Sequence, residues 1–233
     1  MRVGQLNTPV LVIDDFAANP QDLQQYAIEQ GQFVDHGKDY YPGKRCIAPQ
    51  AYQHNLVELL QPMLSAHFAD SGDKHSCLLS AFSITTTPVE KLKPIQMLPH
   101  FDNVSDKQFA VVHYLADGDL NSPTSKPGGT AFYRHISTGL ERITQNDLAN
   151  YAQVLKQQAI QAQLHHTPGY ISAMPKSAPH WQMFEQIAQV SHKYNRAVIY
   201  PANLLHSGVI NLQLLNANPR EGRLTLNSFL CFS

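Results

Sequence analysis

The stretch FAVVHYLADGDLNSPTSKPGGTAFYRH, residues 109–135, decides how the chain reads. At each end lies a short run of β-branched and aromatic residues, FAVVHYLA and GTAFYRH. Between them stand the breakers DGD and PGG. Short runs of this kind, bounded by Gly, Pro, Asn and Asp, read as strands. The pattern recurs on either side. CLLSAFSITTT (77–87), RAVIY (196–200), SGVINLQLL (207–215) and RLTLNSFLCF (223–232) are further strands, and NANPREG is a further turn. TPVLVI (8–13) adds a strand near the start. Several short strands with Gly/Pro-rich breaks predict a β-sandwich or barrel.

Helical patterns flank and interrupt this β region. Asn19 is placed to cap a helix with Pro20 at its first position and Asp22 in its first turn, ending at Gly31. Residues 54–68 carry Leu56, Leu59, Leu60, Met63 and Leu64 at helical spacing. Residues 35–48, DHGKDYYPGKRCIA, read as a loop with aromatic and cationic residues interleaved. Residues 144–163 have a Thr cap, Asp147 in the first turn and a stripe of Leu148, Tyr151, Ala152 and Leu155. Residues 177–193 carry Trp181, Phe184, Ile187 and Ala188 at helical spacing. The expectation is one domain over residues 1–233, mainly β with added helices (α+β), with a two-helix insertion over residues 139–195.

Composition narrows the function. Hydrophobic residues make up 43% of the 233 and charged residues 15%, enough for a sizeable core. The formal net charge is −1, so no broad basic field awaits nucleic acid or anionic lipid. The opening MRVGQLNTPVLVIDDF does not read as a signal peptide, and no apolar run is long enough to span a bilayer. Cys46, Cys77 and Cys231 form no C-x-x-C pair and read as reduced thiols of a cytoplasmic protein. Histidine, at 12 residues, is the unusual count, and it raises a metal or acid/base question.

The string PHFDN, residues 99–103, gives that question an address. In an extended segment, residues i and i+2 point the same way. His100 and Asp102 then present an imidazole and a carboxylate to one side, with Phe101 turned away. His206, after the apolar run RAVIYPANLL, is the best third ligand. Two histidines and a carboxylate on one face of an ion leave the opposite positions open, the usual ligand set of non-haem Fe(II) oxygenases. Alone, H-x-D is an ordinary turn histidine beside a capping Asp. On the last strand, alternation puts Arg223, Thr225 and Asn227 on one side and two leucines on the other. An arginine facing a barrel interior needs a partner, and a carboxylate held bidentately is the natural one.

The order H-x-D, G-G-T, distal H, then G-R-x-T resembles the Fe(II)/2-oxoglutarate-dependent dioxygenases, especially their prolyl-hydroxylase-like branch. The matching strings are PHFDN, HYLADGDLNSPTSKPGGTAFY (113–133), YPANLLHSG (200–208) and GRLTLNSF (222–229). The opening VLVIDDFAANPQDL is similar to the start of that branch. The resemblance implies a double-stranded β-helix, a cupin-like jelly roll with N-terminal helices packed on it. It implies that His100, Asp102 and His206 hold Fe(II), and that Arg223 binds the distal carboxylate of 2-oxoglutarate with Thr225 as hydroxyl partner. Tyr114 resembles the strand tyrosine that faces the cosubstrate, and Gly128, Gly129 and Thr130 the turn that opens the next strand. The implied reaction consumes O₂ and hydroxylates a C–H bond of a peptide, amino acid or small metabolite.

Two spacings depart from the family. Arg223 follows His206 by 17 residues, so a longer hairpin through Asn216-Ala217-Asn218-Pro219 must return it to the site, with Arg220 as a rival in the turn. Asp102 and His206 are 104 residues apart, a gap the inserted helices absorb. Tyr133, Arg134, His135 and Arg45 read as core aromatics and solvated charges before substrate contacts. His165, His166, His180 and His192 read as solvated helix and loop histidines before a second metal site. A homodimer is compatible with the sequence. Two alternatives stay open: a cupin-like metal enzyme that does not use 2-oxoglutarate, and a non-catalytic jelly-roll binding protein.

Overall fold

The computed structural model describes residues 1–35, 40–68, 75–116 and 128–232. The strands are β1 (Arg2–Val3), β2 (Thr8–Pro9), β3 (Leu11–Ile13), β4 (Gly43–Ile47), β5 (His75–Thr85), β6 (Gln108–Tyr114), β7 (Gly129–His135), β8 (Phe184–Ser191), β9 (Ala197–Pro201), β10 (His206–Val209) and β11 (Leu224–Phe232). The helices are α1 (Pro20–Glu29), α2 (Gln50–His67), α3 (Leu148–Gln161) and α4 (Pro179–Met183). The larger sheet has the order β3-β9-β6-β11-β5-β4, and the smaller has β10-β7-β8; β1 and β2 pair apart from both. Every pairing between these strands is antiparallel.

Alternation along the strands builds the layers. On β6 and β9, Phe109, Val111, Ala197 and Ile199 point outward and pack against Leu56, Leu60 and Leu64 of α2. Their neighbours Ala110, Tyr114, Val198 and Tyr200 point inward and meet Phe132 of the smaller sheet. On β11, Leu224 and Leu226 join Phe82, Ile84 and Ala27 of α1. On β7, Ala131 and Tyr133 face outward to Ile143, Tyr151 and Phe184 under α3. Helices therefore cover the outer faces, and the two sheets enclose the space between them. Burying each large apolar side chain contributes roughly 1.5–3 kcal/mol, so all four clusters hold the frame.

Strand and helix readings hold at most places, and four are corrected. Residues 35–48 are not all loop, because β4 forms there as an edge strand of the larger sheet; residues 36–39 lie outside the described residues. The TPVLVI strand splits at Val10 into β2 and β3. The strand read over 207–215 stops at Val209, and a short 3₁₀ turn, Leu212–Leu214, follows. Its cause is Asn211, whose side chain accepts the Gln213 amide at 3.0 Å and bends the chain. The helix read over 177–193 is one short helix, α4, followed by strand β8. Pairing of β8 with β7 steps from Phe132–Ala188 to Tyr133–Gln186, leaving Ile187 without an opposite number. That bulge breaks the period-two pattern and produces the helix-like spacing of Phe184, Ile187 and Ala188. The DGD turn and the 117–127 part of the matching string lie outside the described residues.

Candidate metal and cosubstrate site

Backbone pairing brings the three candidate ligands together. His100 and His206 form an antiparallel bridge, each amide donating to the other's carbonyl at 2.8 Å. The Asp102 amide donates to the Ala202 carbonyl at 2.7 Å, which holds the carboxylate beside the pair. His100 Nε2 lies 3.7 Å from Asp102 Oδ1, and His206 Nε2 lies 3.4 Å from Asp102 Oδ2. One ligand atom from each residue falls within 4.8 Å of the others, and this is the one such cluster among the described residues. Phe101 turns away, as alternation requires, and packs edge-on to Tyr151 at 6.1 Å.

The donor chemistry suits a cation. His206 Nδ1 donates to the Leu204 carbonyl at 2.8 Å, so its Nε2 carries the free lone pair and faces Asp102. Burial lowers the His206 pKa to about 4. His100 is also lowered to about 4, first by desolvation and then by His206. Both imidazoles are thus neutral at pH 7 and available to a metal. Desolvation raises the Asp102 pKa, with the charge on a protonated His100 acting against it.

A cavity of about 480 Å³ opens from these residues and is lined by Arg223, Asn227, Thr130 and Gly208 as well. Such a volume is ordinary for a small-molecule site. The loop before β11 delivers Arg223: the amides of Glu221 and Gly222 donate to the Asn218 carbonyl at 3.0 and 2.8 Å, closing the turn. Arg220 stays exposed in that turn and does not line the cavity. Arg223 itself is buried. One nitrogen, Nη2, donates to the Gly129 carbonyl at 3.1 Å, while Nε has no partner. Among the described residues no carboxylate pairs with it. Gly208, two residues along β10 from His206, lies beside the guanidinium: a Cβ built there would be 3.6 Å from Nη2. A buried cation with a free donor and space before it fits the carboxylate of a ligand.

Thr225 and Tyr114 stand behind the lining. Thr225 Oγ1 donates to the Ser83 carbonyl at 3.4 Å. Tyr114 is fully buried, shares a 2.7 Å hydrogen bond with Thr130, and has the Arg223 guanidinium 6.0 Å from its ring centre. Asn227, placed on this face by alternation, lines the cavity with its Oδ1 buried and unpartnered. Sequence reading gave it no role, and its position two residues past Thr225 was the available signal. It also ranked Arg45 among solvated charges, yet Arg45 lines the cavity together with Tyr41 and Tyr170. Tyr133, Arg134 and His135 lie elsewhere: Tyr133 is core, Arg134 bonds Glu185 at 2.6 Å, and His135 sits between Thr138 and Gln158. His165 and His166 are exposed, and His192 donates to the Ala116 carbonyl at 2.8 Å. His180 is buried in α4, and neither of its ring nitrogens has a partner.

Solved structures define the class of fold. SnoN, a non-haem alpha-ketoglutarate-dependent epimerase from nogalamycin biosynthesis, is 12% identical over 97% of this chain and 78% of that chain, with a TM-score of 0.50. HygX from Streptomyces hygroscopicus, with nickel and 2-oxoglutarate bound, is 15% identical over 97% of this chain and 84% of that chain, with a TM-score of 0.51. HygX with hygromycin B also bound gives 13% identity over 97% and 84%, with a TM-score of 0.50. The two-sheet frame is therefore the double-stranded β-helix of Fe/2-oxoglutarate oxygenases, at the level of fold. By sequence, residues 1–230 match the model of a family of unknown function, DUF6445, and the chain belongs to that family. No curated protein matches the chain.

Proposed function

We propose that the chain is a non-haem Fe(II)- and 2-oxoglutarate-dependent oxygenase acting on a C–H bond of a small molecule, amino acid or peptide. The observation that carries this is one cavity lined by both the His100–Asp102–His206 cluster and the buried, partly unsatisfied Arg223. A metal site alone would leave Arg223 without purpose, and the desolvation cost of that charge would be uncompensated.

In this reading His100, Asp102 and His206 hold the metal, and Arg223 receives the distal carboxylate of 2-oxoglutarate. Thr225 and Tyr114 complete the wall behind it, Tyr114 by orienting the Thr130 hydroxyl. Asn227, which lines the same cavity with its Oδ1 unpartnered, would offer its side-chain amide to the cosubstrate. When bound, iron and 2-oxoglutarate supply the oxidising power: O₂ is consumed, the oxo acid yields succinate and CO₂, and one oxygen atom enters the substrate. The chain's own share is to fix ligand orientation through the His206–Leu204 hydrogen bond and to exclude water with the aromatic walls. HygX, solved with hygromycin B bound, supports a small-molecule substrate. Among the described residues no helix is long and apolar enough to cross a membrane, and three cysteines in no disulfide among those residues suit a reducing, cytoplasmic location.

The test is anaerobic Fe(II) with 2-oxoglutarate, read by the weak visible charge-transfer band and by succinate release once O₂ is admitted. The wild type develops the band, and His206→Ala does not. A wild type without the band, or a His206→Ala variant that keeps it, overturns the ligand assignment.

A further inference from the structure

Asn203 stands between the two carbonyls that aim a pair of candidate ligands. On one side is Ala202, whose carbonyl accepts the amides of Asp102 and Asn103 at 2.7 and 3.2 Å. On the other is Leu204, whose carbonyl accepts His206 Nδ1 at 2.8 Å. Asn203 itself is wholly buried, and its side chain is held at both ends. Nδ2 donates to Asp106 Oδ1 at 2.8 Å, and Oδ1 accepts from Arg142 Nε at 2.8 Å. Arg142 Nη2 closes the ring by donating to the same Asp106 oxygen at 2.6 Å.

Each corner of the ring comes from a different stretch of chain. Asp106 lies in the turn that follows H-x-D. There Asn103 Oδ1 accepts the Ser105 amide at 2.9 Å, and Ser105 Oγ accepts the Lys107 amide at 3.1 Å. Arg142 lies in a segment that runs antiparallel to the residues before His206. The Ile143 amide donates to the Asn203 carbonyl at 2.9 Å, and the Leu205 amide to the Glu141 carbonyl at 2.8 Å. The ring therefore ties the segment carrying His100 and Asp102 to the one carrying His206, and anchors both to a third.

Burial sets this ring apart from a surface ion pair. The Arg142 and Asp106 side chains are 28% and 67% exposed, and such a pair alone contributes little. Asn203 is different, because desolvating its amide has a cost that a leucine of similar volume would avoid. What the amide supplies and leucine lacks is direction. With Nδ2 committed to a carboxylate and Oδ1 to a guanidinium, the side chain has one orientation, and the backbone on either side of it is fixed. Asp106, Asn203 and Arg142 do not line the cavity, so they reach the site only through the Ala202 and Leu204 carbonyls.

Resting on the metal-site part of the oxygenase reading, we propose that Asp106, Asn203 and Arg142 form a positioning clasp that sets the separation and angle of Asp102 and His206 at the metal.

The experiment titrates the full chain, freed of metal by chelation, with Co(II). Calorimetry reads the affinity, and the visible ligand-field bands of the bound ion read the geometry. Asp106→Ala opens the ring at its exposed corner without emptying the core. It is expected to weaken Co(II) by about ten- to a hundredfold, the usual cost of losing a group that orients a ligand, and to shift the bands. Arg142→Ala, at the other partly exposed corner, gives the same loss. Asp106→Asn keeps an oxygen acceptor for both donors and stays within about threefold of wild type, with unshifted bands. Asp14→Ala breaks the exposed Asp14–Arg196 pair, of the same 2.6 Å length, and also stays within about threefold. Unchanged affinity and bands in Asp106→Ala and Arg142→Ala, a loss in Asp106→Asn as large as in Asp106→Ala, or an equal loss in Asp14→Ala, each overturns the clasp. A wild type that does not bind Co(II), or a His206→Ala variant that binds it equally well, overturns instead the ligand assignment on which it rests.

Discussion

Arg223 is bound by two opposing demands. As a buried guanidinium with an unsatisfied Nε, it carries a desolvation cost, which in the proposed function the cosubstrate carboxylate repays. Removing its charge therefore separates binding from stability. Arg223→Gln is expected to weaken 2-oxoglutarate by about ten- to a hundredfold, the range of one lost charge-assisted contact. Its thermal midpoint without ligand stays level with wild type or rises. Calorimetry beside differential scanning checks both, and an unchanged cosubstrate affinity would remove Arg223 from the site. The sequence showed this residue twice, through parity, since a charge alternating with Leu224 and Leu226 faces inward, and through the G-R-x-T string that carries the resemblance. It showed the candidate ligands less directly. H-x-D predicts two groups on one side, but the His100–His206 bridge and the Asp102–Ala202 bond that converge them are long-range pairings with no local signature.

Elements were legible where one period ran uninterrupted. Strand β7 begins and ends where GTAFYRH does, because Ala131 and Tyr133 face one core and Phe132 the other. Strand β8 was hidden by its bulge at Ile187, and β4 by its charges. Lys44 and Arg45 look like loop residues, yet charge is usual on an edge strand, where it discourages pairing with a second sheet. The N-terminal pair β1–β2 depends on a residue far along the chain. Glu141 is buried and accepts the amides of Gln5 and Leu6 at 2.9 and 3.2 Å, with Arg134 at 3.4 Å. Gly4 at φ 66° passes so close that any Cβ would meet that carboxylate. Glu141→Ala should cost roughly 1–3 kcal/mol and speed amide exchange over residues 1–10 ahead of the remaining chain. Exchange that rises uniformly along the chain would show that β1–β2 is not held separately.

For the molecule as a whole, acid is the expected weakness. His113 is buried, donates to Asn195 Oδ1 at 3.0 Å and has its pKa lowered from 6.5 to about 4, chiefly by burial. His192 is lowered to about 4 by burial, with Arg223 and Arg196 adding to the effect against its bond to Ala116. Both stay neutral in the folded chain while the unfolded chain takes up protons below about 6.5. Stability is therefore full above pH 6.5 and falls as pH drops toward 4. Urea midpoints across that window should decline, and the decline should be shallower in His113→Gln. Midpoints that do not move between pH 7 and pH 5 would contradict this.

The division of labour between the sheets carries one more consequence. His206 belongs to the smaller sheet and His100 bridges to it, while Arg223 and Arg45 enter the cavity from the larger. Polar ties across the gap include Tyr114 to Thr130 and Arg223 to Gly129. An occupant gripping both sides works as a removable cross-link, drawing two leaves of one sandwich into a single mechanical unit. By mass action that link is worth more the higher the ligand rises above its Kd. The same molecules that equip the cleft for chemistry would thus also determine how freely its two halves breathe.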